Sequence, residues 1–168
     1  MLLSVLVVSC NPKLLNEMLS SLSKAISLNP AEVEILCSWN GTEEDEKKII
    51  NRSPYHFMIS QRVPYHFAKN MNSLAKKANG EILLFINDDV TVDPEAIDKG
   101  ISCLITSQDV GLVGAKLRNK NNQIVHSGML FDEKNSPYHK LEMLISEGDS
   151  ISLNSTEILP SVTGALII

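Results

Sequence analysis

The stretch "EILLFINDDVTVDPEAI", residues 81–97, decides the fold. Ile82, Leu83, Leu84 and Ile86 are aliphatic, and Phe85 completes an unbroken apolar run. A short run without polar alternation predicts a strand buried on both faces, as in a parallel sheet covered by helices. It ends on Asn87 and two adjacent carboxylates, Asp88 and Asp89. Asn and Asp form turns well, so turn chemistry is one reading of the pair. Two features favour a binding site. The strand is strongly apolar, so at least one carboxylate starts near a low-dielectric wall. Other predicted strand ends carry polar residues too: Ser9 and Asn11 after the first, Trp39 and Asn40 after the second. Beyond the pair, Asp93-Pro94 predicts the start of a helix capped by Asp93, with Ile97, Ile101 and Leu104 on its inner face.

Upstream, residues 2–9 form a continuous apolar run and predict the first strand. Asn11 can cap the helix that follows and Pro12 suits its first position, with Leu15, Met18, Leu19, Leu22 and Ile26 on one face. Residues 33–38 predict a second strand, Gly41 a turn, and the acidic run 43–46 the first turn of a short helix. A third strand is expected at 57–60. Residues 69–78 carry a helical stripe of Met71, Leu74, Ala75 and Ala78, stopped by Asn79-Gly80. Downstream, 111–117, 124–130 and 161–168 predict strands, and 132–154 predicts loop with some helix. "PYHF" occurs at 54–57 and 64–67, too close to be a repeat of structural units. Strands alternating with helices imply right-handed crossovers and an α/β fold, with a mostly parallel central sheet and helices on both faces.

The chain has 168 residues, 43% hydrophobic and 21% charged, which suggests one soluble domain with a sizeable core. Its net charge is −5 and its basic residues do not cluster, which argues against nucleic acid as a partner. Cys10, Cys37 and Cys103 lack metal-ligand spacing and read as buried, reduced thiols of a cytoplasmic protein. No segment reaches the roughly 20 apolar residues that span a bilayer, and "MLLSVLVVSC" lacks the basic start of a signal peptide. His56, His66, His126 and His139 are too scattered to suggest zinc.

In open α/β sheets ligands sit beyond the carboxyl ends of the strands, where Asp88 and Asp89 fall. A phosphate there would be repelled, since two like charges at 4 Å cost about 4 kcal/mol at an effective dielectric near 20. A divalent cation reverses the sign, and oxygen ligands favour Mg²⁺ or Mn²⁺ shared with substrate phosphates.

These residues together resemble the family 2 glycosyltransferases. "SVLVVSCNP" looks like the family's first strand and "EVEILCSWNGTEED" its second strand and turn. "FAKNMNSLAKKANGEILLFINDDV" is similar to its helix, glycine and acidic-pair block. "VGLVGAKLRNKNNQIVHSGMLF" is similar to a later block of bacterial O-antigen and rhamnosyl-type members, and "VTGALII" to the strand that begins the acceptor half. The resemblance covers essentially the whole chain. It implies a nucleotide-sugar-binding GT-A fold, Rossmann-like in architecture. Residues 1–130 would be the nucleotide- and metal-binding part of a single domain, and 131–168 the incomplete start of the acceptor side.

The resemblance also implies site residues. Asp89 matches the metal ligand, and Asp88 the residue that contacts the ribose or supports the metal. Ser9 matches a position touching the base, Lys69 a basic position near the donor diphosphate, and Asn72 the Asn on the same helix. Asn11, Trp39 and Asn40 fall among the nucleotide-binding strand ends, and Thr163 and Gly164 match the segment lining the donor sugar. Trp39 stands where many members carry a base-reading Asp, so Trp39 could stack on the base or cover the pocket, and Asn40 or Glu44 would supply the polar readout. The implied reaction is inverting transfer from a nucleoside-diphosphate-sugar to a glycan or lipid-linked acceptor, the latter placing the protein at the inner face of the cytoplasmic membrane. The family's base is a carboxylate well after "TGA". Asp132, Glu133, Glu142, Glu147 and Asp149 do not sit in that context, so this chain is expected to bind donor and metal but transfer sugar poorly, as the donor-binding portion of a longer enzyme. The alternative is a non-catalytic nucleotide-sugar- or partner-binding domain. A receiver domain would need acidic residues in place of "SCNPK", and a nucleotidyltransferase a glycine-rich loop after the first strand.

Overall fold

A computed structural model describes residues 2–140 and 156–168. The described residues divide into two compact units, 2–113 with 164–166 and 168, and 114–140 with 156–163 and 167.

The first unit is built on β1 (Leu3–Ser9), β2 (Val33–Trp39), β3 (His56–Arg62) and β4 (Ile82–Asn87). These four pair in parallel, and with β9 (Leu166–Ile167) the sheet order is β3-β2-β1-β4-β9. Every residue of β1 and of β2 is buried, as the unbroken apolar runs require. The helices are α1 (Pro12–Ala25), α2 (Glu43–Glu46), α3 (Phe67–Ala75) and α4 (Ala96–Thr106). Met71 and Leu74 of α3 pack on Leu6, Val8 and Leu36, with Leu83 and Phe85 at the margin. Val5, Val7, Ile35, Leu84 and Ile86 alternate with these along their strands and so face the other way; all five are fully buried. Right-handed crossovers put α1 on that opposite face, where it meets α4.

The amino edge of this sheet is held by a buried polar network. Ser4 donates from Oγ to Glu34 at 2.6 Å, and the Asn79 backbone N–H donates to the same carboxylate at 2.7 Å. The Gly80 N–H closes the circuit on Ser4 Oγ at 2.8 Å. A Cβ on Gly80 would lie 2.5 Å from the Ser4 backbone nitrogen, so the chain needs glycine here for close approach; the helix expected to run to Ala78 and stop at Asn79-Gly80 ends at Ala75, with Lys76 as its cap.

The second unit contains β5 (Leu117–Arg118) paired with β6 (Ile124–His126), and β7 (Met129–Phe131) paired with β8 (Pro137–His139), both antiparallel. Here the expected strands need correction. The 124–130 run is two strands, split at Gly128, whose φ of +102° turns the chain between two different partners. The 111–117 run is a strand only at its end. Gly114 makes a single bridge to Ile167, and a Cβ there would lie 2.5 Å from Val162, so this is a tight crossing. In the 161–168 run, only Leu166–Ile167 is strand. The helix expected from Asp93-Pro94 begins instead at Ala96, because Val92 donates to Ser21 Oγ and Glu95 to the Lys24 carbonyl, which lays 92–95 along α1. Of the loop and helix expected at 132–154, residues 141–154 lie outside the described residues.

Candidate active site

The chain runs outward from β1 to β2 and β3, then returns to the other side of β1 as β4. The reversal between β1 and β4 is the switch point at which open α/β sheets bind ligands, outside the strands' carboxyl ends. Val8 pairs with Asn87, so the next residues on the two strands, Ser9 and Asp88, meet across this crevice. Ser9 is 3% exposed and donates from Oγ to Asp88 Oδ2 at 2.6 Å. Burial pushes the Asp88 carboxyl above the usual carboxylate range; the Ser9 hydrogen bond opposes that shift and the Asp89 charge adds to it. Asp89 is exposed, and among the described residues no hydrogen bond or ion pair engages its carboxylate.

Asn87 donates its N–H to the Ala165 carbonyl at 3.0 Å, which joins the end of β4 to the residue after Gly164. Gly164 is exposed and open: a Cβ there would approach Phe67 no closer than 3.9 Å. Thr163, its chain neighbour, belongs to the second unit.

Asn11 caps α1, accepting from the Lys13 and Leu14 N–H groups, as expected of it as a helix cap. Trp39 is 2% exposed, and its Nε1 donates to the Thr42 carbonyl at 3.1 Å. Its ring lies under Gly41, where a Cβ would come within 2.4 Å of Cζ2. With both faces buried, the indole shapes the 40–42 turn and offers no surface to stack on a base. Asn40 donates from Nδ2 to the Val63 carbonyl, while its Oδ1 is buried with no hydrogen-bond partner among the described residues. Such an acceptor costs about 1–3 kcal/mol until a donor arrives.

Lys69 lies exposed in the first turn of α3, and Asn72 is exposed one turn on. The buried Asn of this helix is Asn70, which donates from Nδ2 to the Pro64 carbonyl and so holds the 63–66 loop. Position 70 belongs to the same helical face as Met71 and Leu74, the signal by which the sequence could have revealed it. Two further residues were missed. Gln61 donates to Ser38 Oγ and accepts from Ser73 Oγ, and Arg62 grips Glu46 through Nε at 2.8 Å. Both tie the end of β3 to its neighbours at this edge.

The cysteines correct a further expectation: Cys37 is buried, Cys103 half-buried and Cys10 exposed, all free. β1 ends at Ser9, so Cys10 stands on the rim. Among the described residues no group of three His, Cys, Asp or Glu side chains is poised to hold a metal. Two carboxylates, one unengaged, still suit Mg²⁺ or Mn²⁺, which take one or two protein carboxylates and complete their shells with water and substrate phosphates. A separate open groove of about 900 Å³ runs along α1, lined by Lys13, Asn16, Ser20, Lys24, Arg52 and Pro94.

A doubly wound, mostly parallel sheet with an acidic pair at its switch point is the GT-A architecture of glycosyltransferases. The chain belongs to Glycosyl transferase family 2, whose profile matches residues 4–158. It is 30% identical over 122 residues to the O-antigen biosynthesis protein RfbC of Myxococcus xanthus, covering 71% of this chain and 9% of that protein. TarS 1–349 of S. aureus has a similar fold, with a TM-score of 0.57 and 24% identity over 72% of this chain and 37% of that one. The mannosyltransferase PcManGT of Pyrobaculum calidifontis, solved with GDP-Man and Mn²⁺, gives 0.59 at 14% identity over 70% of this chain and 35% of that one. The chain thus spans little more than a third of these structures and a small part of the curated relative. Among the described residues no helix is long and apolar enough to cross a membrane.

Proposed function

We propose that this chain binds a nucleoside-diphosphate-sugar and a divalent cation at the β1–β4 switch point, and serves inverting sugar transfer to a glycan or lipid-linked acceptor. The observation that carries this is the division of labour in the acidic pair. Ser9 holds Asp88 in place, while Asp89 is left exposed and unengaged. Asp89, with Asp88 behind it, would hold Mg²⁺ or Mn²⁺. When bound, the cation supplies charge compensation for the diphosphate leaving group.

The chain's own residues do the rest. Asn40 Oδ1 would accept an N–H from the base once the 40–42 turn shifts to expose it. Lys69 meets the diphosphate from the first turn of α3, where the helix dipole also favours an anion. Gly164 leaves room for the sugar, and Thr163 flanks it. Similarity to an O-antigen biosynthesis protein supports a role in cell-surface polysaccharide assembly at the cytoplasmic side of the membrane.

Thermal shift of the chain with UDP-, GDP- and dTDP-sugars, with and without Mn²⁺, tests this. A ligand at 100 times its Kd adds about 2.7 kcal/mol to stability. One nucleotide-sugar should stabilise the chain in the presence of Mn²⁺, and Asp89→Ala should abolish the increment while leaving the free protein's Tm within a degree or two. Stabilisation of equal size without metal, or in Asp89→Ala, rules out the cation-bridged site.

A further inference from the structure

His126, the last residue of β6, is 2% exposed. Two backbone N–H groups point at its Nε2, those of Gly128 and Thr163, each at 3.2 Å. Both are obligate donors, so Nε2 must present a lone pair. A neutral imidazole that accepts at Nε2 carries its proton on Nδ1. That Nδ1 lies 3.0 Å from Nδ1 of His139, and the rings meet edge to face at 84°. His126 therefore donates, His139 accepts, and His139 keeps its own proton on Nε2. The surrounding backbone has assigned both tautomers.

This arrangement argues against a cation between the rings. Both Nδ1 atoms would have to be bare, forcing the His126 proton onto Nε2 against two N–H donors. It has no room for an extra proton either. A proton added to His126 turns Nε2 into a third donor. One added to His139 makes its Nδ1 a donor, which His126 can meet only by moving its proton to Nε2. Either event costs the contact with Thr163.

We propose that His126 is a positioning residue for Thr163: the neutral ring tethers the Thr163 N–H, and a proton on the ring releases it. Its consequence for the donor sugar rests on Thr163 and Gly164 lining that sugar, as proposed above. Charged groups on the surrounding segments are Lys116 and Arg118 beside and on β5, His139 and Lys140 at the end of β8, and Glu157. Lys140 pairs with Glu157, and His139 is the one that meets the ring. Burial, and then His139, hold the His126 pKa below the ordinary imidazole value, so the buried ring resists protonation. The tether is thus complete at neutral pH and is lost only below the ordinary imidazole value of 6.5, as His126 takes up its proton.

The experiment is an NMR titration of the whole chain, following the Thr163 and Gly128 amides and the histidine nitrogens. Both amides should shift along one curve with the His126 nitrogens. Protection of the Thr163 amide, corrected for intrinsic exchange, should fall about fivefold to tenfold, the size of one hydrogen bond. His126→Gln keeps an oxygen acceptor near the Nε2 position that cannot take a proton; it should retain the Thr163 protection and show no titration, whereas His126→Ala should lose the protection at every pH. Amides that ignore the His126 titration, or a His126→Gln chain that keeps the same pH dependence, overturn the tether. In parallel, affinities for a nucleoside diphosphate and for its sugar conjugate are compared across the same range. The extra affinity due to the sugar should fall with the amide titration and stay flat in His126→Gln. If the amides titrate while the sugar's share does not move, the tether stands and the donor-sugar role of Thr163 and Gly164 is wrong.

Discussion

The three cysteines separate cleanly by position. Cys37 sits inside β2, and burial, followed by the charges of Asp88 and Glu46, pushes its thiol up to about 12. A thiolate is the reactive species, so Cys37 should be inert in the folded chain. Cys10 follows the last residue of β1 and is exposed on the rim, next to the Ser9 that holds Asp88. A bulky maleimide should therefore label Cys10 first and block nucleotide-sugar binding, and prior addition of donor with Mn²⁺ should slow that labelling. Cys10→Ser should bind donor normally and resist the blockade. Mass spectrometry of the labelled peptides decides, and rapid labelling of Cys37 would mean that β2 is not the buried strand described. The sequence showed the acidic pair, because it interrupts so apolar a run. It did not show that Ser9 would bond Asp88, since that depends on β4 pairing with β1 and not with β3. Nor did it show that Trp39 would be buried: β2 runs one residue further than its apolar pattern suggests, and carries the indole into the core.

Elements were legible where local chemistry and core packing agree. The Asn11 cap, Pro12 and the Leu15, Met18, Leu19 and Leu22 stripe all pointed to α1, and all four stripe residues are fully buried. They were illegible where a long-range contact overrides a local signal. Asp93-Pro94 reads as a helix start, but hydrogen bonds from Val92 and Glu95 to α1 delay the helix until Ala96, with Pro94-Glu95 in a turn and Glu95 at a left-handed φ of 60°. The same contrast sets the expected cost of two substitutions. Asn11→Ala removes a cap from an exposed helix end and should cost about 1 kcal/mol. Gly80→Ala forces a methyl into the Ser4 backbone, which must move with the network it anchors; overpacking of this kind costs about 1–3 kcal/mol. Chemical denaturation should rank Gly80→Ala below Asn11→Ala. The reverse order would show that the 79–82 link yields easily and that the close approach of Gly80 to Ser4 is not needed.

At the scale of the whole molecule, the sheet has two polar ends with opposite electrostatic demands. At the carboxyl end, Asp88 is left ill at ease, its carboxyl raised by burial and by Asp89, a cost that a bound cation would relieve. At the amino end, Glu34 is content. Burial alone would raise its carboxyl, but the Ser4 hydroxyl and the Asn79 N–H and amide groups together hold it below its ordinary value of 4.5. The two ends could be told apart only once the strand order was known, because Glu34 and Asp88 look alike as acidic residues in apolar surroundings. For Glu34 the sign of the pH dependence follows directly. The unfolded chain binds the proton more readily than the folded one, so stability rises with pH across the gap between the two values. The contribution is complete above the unfolded value near 4.5 and disappears as the pH falls through the lowered folded value. Glu34→Gln should therefore destabilise the chain at neutral pH by about 1.5–3 kcal/mol, the worth of hydrogen bonds to a charged group. That difference should shrink steadily below pH 4.5 as the wild-type carboxylate takes up its proton. Urea unfolding at intervals of half a pH unit measures both curves. If they stay parallel into strong acid, the Ser4–Glu34–Asn79 circuit is not what secures the amino edge.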